Sequence, residues 1–291
     1  MYKLRFKQED YFPHQWDFLT SEKTINGLVA GFGAGKTHIF IRKTLLNMFK
    51  RTNNNGVSNG WVIYPTYDLA EELFVAPFME LLDDINCPYE YNQSKHRFRT
   101  AAGNIKIYQL QKPQRIIGAE LTFIGFDEFD VESWKNCDVA FKKAIGRMRG
   151  SDNCEIYIVT SPEGYHYTHK IFVTDANEDR LLVKGKTTDN TYLPEAYVKL
   201  LESNYDENLL KAYRDGEFVN LSALSTYHSF NREKNVKEVK YDPKKPIHIG
   251  MDWNVDPLCS VLWQEYNDKP NIRVFKTYSL SHQGQGDLLT E

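Results

Sequence analysis

Gly27-Leu28-Val29-Ala30-Gly31-Phe32-Gly33-Ala34-Gly35-Lys36-Thr37 decides the fold, because an apolar strand runs into a glycine-rich turn that ends in Gly-Lys-Thr. Glycines let the backbone curl until successive N–H groups point inward, which forms a cradle for phosphate at the start of a helix. Lys36 is then placed to reach the β- and γ-phosphates of a nucleoside triphosphate, and the Thr37 hydroxyl to hold Mg²⁺. Position 30 is alanine where the consensus has its first glycine. The context restores the reading: Gly27–Ala30 is a short buried strand, and Thr37–Lys50 carries Ile39, Ile41, Leu45, Leu46 and Phe49 at helical spacing. The expected phosphate cradle is Gly31, Gly33, Ala34, Gly35, Lys36 and Thr37.

A second strand supplies the acids. The run Leu121-Thr-Phe-Ile-Gly-Phe126 has the apolar character of a buried parallel strand, and Asp127 and Glu128 follow it. Carboxylates at the C-terminal end of such a strand lie in the crevice where α/β sheets bind ligands. Asp127 is the expected organiser of the Mg²⁺ shell. Glu128, one residue on, is the expected catalytic base, orienting and deprotonating a water for attack on the γ-phosphate. A third strand, Ile156–Val159, ends in Thr160-Ser161-Pro162. Its hydroxyls either sense the γ-phosphate and its water or simply close a strand into a turn. Trp61–Tyr64 ends in Pro65-Thr66 ahead of a helix expected from Asp68 to Leu82. Strands and helices in this order predict an α/β doubly wound parallel sheet. Lys95 to Gln109 reads as a β-hairpin beside the nucleotide site. In Phe12-Pro-His-Gln15-Trp16, the Gln15 amide matches the donor and acceptor edge of adenine, and a Pro-led helix with core aromatics is the structural alternative.

Composition sets the bounds. The 291 residues carry 36 Lys plus Arg against 39 Asp plus Glu, a formal charge of −3, which argues against a chain coated in nucleic acid but allows local basic contacts. No apolar run approaches the ~20 residues of a membrane span, and the N-terminus lacks a signal-peptide core, so a cytoplasmic location is expected. Cys87, Cys137, Cys154 and Cys259 form no C-x-x-C pair, so reduced thiols are expected rather than a disulfide framework or a zinc site. Thr52-Asn-Asn-Asn-Gly56 and Tyr241-Asp-Pro-Lys-Lys-Pro246 are the nearest approaches to linkers.

Taken in order, Gln15, the loop Gly31–Thr37, Tyr64-Pro-Thr66, Arg115-Ile-Ile-Gly118, Phe126-Asp-Glu128 and Thr160-Ser-Pro162 resemble the large terminase subunit, the DNA-packaging ATPase and nuclease of tailed bacteriophages. Thr187-Thr-Asp-Asn-Thr-Tyr-Leu-Pro194 and Tyr213-Arg-Asp-Gly-Glu-Phe-Val219 look like the stretch leading out of that family's motor domain. The resemblance spans nearly the whole chain. It implies a P-loop NTPase of the RecA/ASCE type over residues 1–220, a connector over 221–245, and the first strands of an RNase H-like nuclease domain over 246–291. Gln15 would read adenine, and Thr160 and Ser161 would couple hydrolysis to movement. Many members carry an arginine in the loop where this chain has Phe32, so a trans arginine is implied; Arg115 is the first candidate, then Arg147 and Arg149, each with a surface ion pair as the alternative role.

Strands at Ile247–Met251, Leu258–Trp263 and Ile272–Tyr278 predict an antiparallel meander. By resemblance Asp252 is the first metal-binding carboxylate of the nuclease, served by Mg²⁺ or Mn²⁺, with its companions missing from the 39 residues that follow. Asp256, Glu265 and Asp268 fall at turns instead, so the nuclease domain is expected to be incomplete and unable to cut DNA alone. The resemblance also implies double-stranded DNA, the portal protein and a small terminase subunit as partners, and a ring homo-oligomer on the procapsid in the host cytoplasm. A helicase-like or repair ATPase, a kinase, and a non-catalytic scaffold with vestigial nucleotide binding are the competing readings. A helicase usually has a second motor domain, and Glu128 speaks against a kinase.

Overall fold

The computed structural model describes residues 5–221, 235–252, 258–268 and 271–280. The chain divides into two compact units, Met1–Ala223 and Leu224–Glu291. The first holds strands β1 (Ile25–Ala30), β2 (Ser58–Tyr64), β3 (Tyr89–Asn92), β4 (Arg97–Thr100), β5 (Gly103–Gln109), β6 (Phe123–Asp127), β7 (Glu155–Thr160) and β8 (Arg180–Gly185). Its helices are α1 (Pro13–Thr20), α2 (Lys36–Lys50), α3 (Tyr67–Ala70), α4 (Ala76–Asp84), α5 (Trp134–Ile145), α6 (Tyr167–His169), α7 (Glu195–Asn204) and α8 (Glu207–Tyr213). Between α3 and α4 a π-helical turn at Glu71–Val75 keeps the chain helical, so the single helix expected from Asp68 forms with a wider turn in its middle.

All eight strands form one sheet in the order β3-β4-β5-β2-β6-β7-β1-β8, parallel from β5 to β8, with β3 and β4 antiparallel at one end. Strand β7 therefore lies between β1 and β6. Fully apolar strands need cover on both faces, and two helix layers supply it. On one side Ile39, Phe40, Leu45 and Met48 of α2 pack with Phe74 and Phe78 against Leu28, Tyr64, Phe123 and Tyr157. On the other, Cys137, Ala140 and Phe141 of α5 pack with Ile171 and Phe172 against Ile63, Ile124, Phe126 and Ile158. Among the described residues no cysteine forms a disulfide.

One expectation fails here. The hairpin of β4 and β5 forms, but it stands away from the phosphate loop, since β2, β6 and β7 separate β5 from β1, about 19 Å at ~4.8 Å per strand. The hairpin's register is local, whereas its place in the sheet depends on the insertion of β7.

The second unit contains β9 (His248–Asp252), β10 (Leu258–Glu265) and β11 (Ile272–Leu280), an antiparallel sheet in the order β11-β10-β9.

Candidate functional site

Register places the pieces. Val29 of β1 lies level with Thr160 of β7, and Val159 lies level with Asp127 of β6, so the phosphate loop, Thr160-Ser161 and Asp127-Glu128 leave the sheet at one edge. The loop enters α2 through Gly35 at φ +81°, a left-handed conformation that glycine adopts without a Cβ penalty, and a Cβ there would collide with the Gln15 amide. Lys36 is buried, and its Nζ donates to the carbonyls of Ala30 (3.2 Å) and Gly31 (3.0 Å). Burial lowers the pKa of its ammonium, while the carboxylates of Glu128 and then Asp127 act in the opposite direction. The three groups therefore share one electrostatic environment.

Asp127 is fully buried. Tyr64 donates its phenol to Oδ2 (2.8 Å), and the Glu128 N–H donates to Oδ1 (3.0 Å). Burial, with the Glu128 charge behind it, pushes the Asp127 carboxyl up to about 7. Glu128 is half-buried and sits at φ +50°, a region that costs a non-glycine residue energy and that clusters at functional sites. A half-exposed carboxylate held on a strained turn beside a buried one suits a base that must meet a water molecule. For magnesium the donor set fits. A charge-starved buried carboxyl gains from a cation, and Thr37 and Asp127 supply a hydroxyl and a carboxylate while leaving other positions to phosphate and water, the usual way this ion is bound. Among the described residues no group of three or more His, Cys, Asp or Glu could hold a metal.

The raised carboxyl has a measurable consequence. Folded Asp127 holds its proton more firmly than the unfolded chain does, so its contribution to stability is complete below pH 3.8 and is lost as pH rises to about 7. Asp127→Asn should remove that decline and make the nucleotide-free protein melt higher than wild type at pH 8. Thermal melts at intervals from pH 4 to 8 check this, and an unchanged profile would sink it.

At the end of β7 the two hydroxyls divide. Thr160 accepts the Asp130 N–H (3.1 Å) and donates to the Ser161 carbonyl (2.9 Å), so it ties the turn after Glu128 to β7. Ser161 Oγ is buried without a hydrogen-bond partner among the described residues, and it is the hydroxyl left with capacity for a ligand. Asp130, buried nearby, accepts from His166 Nδ1 (3.1 Å) and from the Thr168 hydroxyl (2.8 Å).

Gln15 is placed against the loop. Its Oε1 accepts the Phe12 N–H (3.1 Å) and its Nε2 donates to the Gly35 carbonyl (3.1 Å), so the side chain braces the start of α2. It also borders a cavity of about 440 Å³ lined by Tyr11, Phe12, His38 and Tyr192. Burial, with Arg42 adding to it, pushes His38 down to about 4, which leaves an uncharged ring there at neutral pH. A base stacked in this cavity would meet Gln15 only after the amide exchanged a backbone partner. A larger depression of about 1020 Å³ lies along α1 and β8 and includes no residue of the loop.

Several residues around the loop carried no local signal. His14 Nε2 bonds to the Ala34 carbonyl (2.9 Å), the Thr187 hydroxyl donates to the Phe32 carbonyl (2.7 Å), and Asn190 Nδ2 donates to the Gly33 carbonyl (2.6 Å). Phe32, at the position where arginine was the alternative, stacks on Tyr213 with ring centroids 4.5 Å apart and planes 11° apart, and its N–H donates to the Tyr213 carbonyl (2.6 Å). The Tyr213 phenol donates to Glu163 (3.1 and 3.2 Å), the residue after Pro162. Burial raises the Glu163 carboxyl, and the Asp130 and Glu128 charges add to this. One tyrosine thus joins the phosphate loop to the segment following β7.

Arg115 is exposed in the turn between β5 and β6, which α5 pins through Lys143 Nζ to the Pro113 and Gln114 carbonyls (3.1 and 2.8 Å). Its charge acts on the Tyr67 phenol at the start of α3. Arg147 and Arg149 sit at the opposite sheet edge, where the Leu121 N–H donates to the Arg147 carbonyl and Arg149 pairs with Glu120 at 3.4 Å. They cannot serve the phosphate loop of the same chain.

In the second unit Asp252 is opposite Cys259 at one end of the ladder, and Glu265 is six residues further along β10, about 20 Å away. Asp268 pairs with Arg273 at 2.6 Å. Neither acid joins Asp252, and Asp256 lies outside the described residues.

Residues 28–234 match the protein family described as terminase large subunit, T4likevirus-type, N-terminal. The PBSX phage terminase large subunit of Bacillus subtilis (strain 168) is similar at 25% identity over 303 residues, covering 88% of this chain and 68% of that relative. The large terminase of a thermophilic bacteriophage, solved in complex with ADP, shares the fold with a TM-score of 0.62 at 17% identity, over 97% of this chain and 70% of that one. The large terminase ATPase domain of Thermus phage P74-26 does so with a TM-score of 0.59 at 16% identity, over 75% of this chain and all of that one (100%).

Proposed function

The chain belongs to the terminase large subunit family, in its T4-like N-terminal type, and from that membership we propose that it is an ATP-hydrolysing motor that drives double-stranded DNA into a procapsid. The observation that carries the chemistry is the half-exposed Glu128 on its left-handed turn, acting on the same Lys36 that the phosphate loop curls around. Lys36 would turn from its two backbone carbonyls to the β- and γ-phosphates, and Glu128 would take the proton of the attacking water. Bound magnesium would neutralise phosphate charge, held by Thr37 and Asp127. The base would rest in the cavity beside Gln15, and Ser161 would report the γ-phosphate through β7. This arrangement favours hydrolysis over phosphoryl transfer to an acceptor, because a base beside the γ-phosphate activates water.

The portal, a small terminase subunit and a ring of copies in the host cytoplasm complete the reading, and Asp252 is its candidate nuclease carboxylate for Mg²⁺ or Mn²⁺. Phosphate release should rise on adding duplex DNA, and rise more with portal present; unwinding of a duplex would favour a helicase instead.

Phe32 leaves the loop without its own arginine, and the pinned, exposed turn of Arg115 suits donation to a neighbouring subunit. Arg115→Ala should lower turnover by about 10³-fold or more, with nucleotide affinity nearly unchanged. Mixing Arg115→Ala with Glu128→Gln subunits should restore part of the activity, because interfaces at which a Glu128→Gln subunit donates to an Arg115→Ala subunit combine an intact base with an intact arginine. Full activity of Arg115→Ala alone, or no recovery on mixing, would remove Arg115 from this role.

A further inference from the structure

At the antiparallel end of the large sheet, the face that α5 covers over β6 and β7 is left open. Alternation along the strands sends Phe98, Ile105 and Ile107 into the core beneath α2 and α4. It leaves Arg97, Arg99, Asn104 and Lys106 on the other face, where a depression of about 540 Å³ has Asn59, Trp61 and Tyr108 at its inner side. Arg97 lies directly opposite Lys106 in the ladder, and Arg99 lies opposite Asn104. Like charges placed directly across an antiparallel pair destabilise it. Among the described residues neither Arg97 nor Lys106 has an acidic partner. Lys106 rests over the Tyr108 ring at 4.7 Å, and Glu90 reaches only Arg99, at 3.8 Å. Lys95 adds a further cation at the β3–β4 turn. A chain with a net charge of −3 has thus gathered four cations against one carboxylate, Glu90, on this face.

We propose that this open face of β3, β4 and β5 holds backbone phosphates of double-stranded DNA. The inference rests on the motor reading and adds the surface that reading lacked. The charges spread over adjacent strands and along β4 for about 7 Å, which suits a row of phosphates better than the single anionic end of a small ligand. Such contacts position a duplex without reading its sequence, as a motor moving along any sequence requires.

The test uses the full chain and a fluorescent random-sequence duplex, with anisotropy measured over a range of salt concentrations. Arg97→Gln combined with Lys106→Gln should weaken binding about tenfold or more and make the slope of log affinity against log salt shallower by roughly 2. DNA-independent phosphate release should stay at the wild-type value and the melting temperature should not fall below it, since the change relieves a repulsion. Lys199→Ala, which removes an exposed cation on α7, should leave the slope alone. Wild-type affinity and slope in the double variant would overturn the proposal, and would point to an acidic protein as the partner of this face. A wild-type protein that binds no duplex at all would instead overturn the motor reading beneath it. Should the double variant fail to fold, each single substitution carries the same test, with a slope change of roughly 1.

Discussion

Glu128→Gln is expected to hold ATP at close to wild-type affinity and to hydrolyse it about 10³-fold more slowly, within the range that general-base catalysis supplies. The substitution keeps the size of the side chain and the left-handed turn, so the Glu128 N–H still donates to Asp127. What disappears is the proton acceptor and a negative charge. Loss of that charge has a second readout, because Glu128 is one of the causes that raise the Asp127 carboxyl to about 7. The Asp127 pKa should fall towards the ordinary carboxylate value in the variant, as carbon-detected NMR titration would reveal. Single-turnover kinetics separate binding from chemistry. Wild-type hydrolysis by Glu128→Gln would take this residue out of the reaction and reopen the search among Asp130 and Glu163.

Lys36→Ala is expected to weaken ATP binding by about 10²-fold or more, since charge-assisted hydrogen bonds to phosphate are worth about 1.5–3 kcal/mol each, and turnover should vanish with it. The lysine is the one cation within residues 30–37. Its removal also deprives the Ala30 and Gly31 carbonyls of their shared donor, at a stability cost of about 1–3 kcal/mol. Calorimetric titration with ATP and a melt without nucleotide tell these effects apart. An affinity within a factor of about two of wild type would mean that phosphate is held elsewhere.

The part of the site that was legible in the sequence is the part made by near neighbours. Gly31 to Thr37 forms a loop because glycines precede a helix start, and Asp127 and Glu128 stand at a strand tip because an apolar run ends there. Gln15 shows the limit. Its amide suits an adenine edge by chemistry, yet in the fold both of its polar atoms are taken by the backbone of Phe12 and Gly35. The hairpin of Arg97 to Gln109 shows it again: the alternation revealed the strands, and the sheet order moved them away from the nucleotide.

What the chain's order of residues determined by itself is the kind of element at each position and the chemistry at its ends, because glycine, proline and side-chain period act over a few residues. It thereby set the phosphate loop, the acidic strand tip and the meander around Asp252. The tertiary structure alone decided that β7 enters between β1 and β6, that Asp127 loses all contact with water, and that Thr187, Asn190 and Tyr213 grip the loop from more than 150 residues away. Those contacts join polar groups that stand far apart along the chain. Hydrophobic periodicity records that a face is buried, and carries no mark of the partner that buries it.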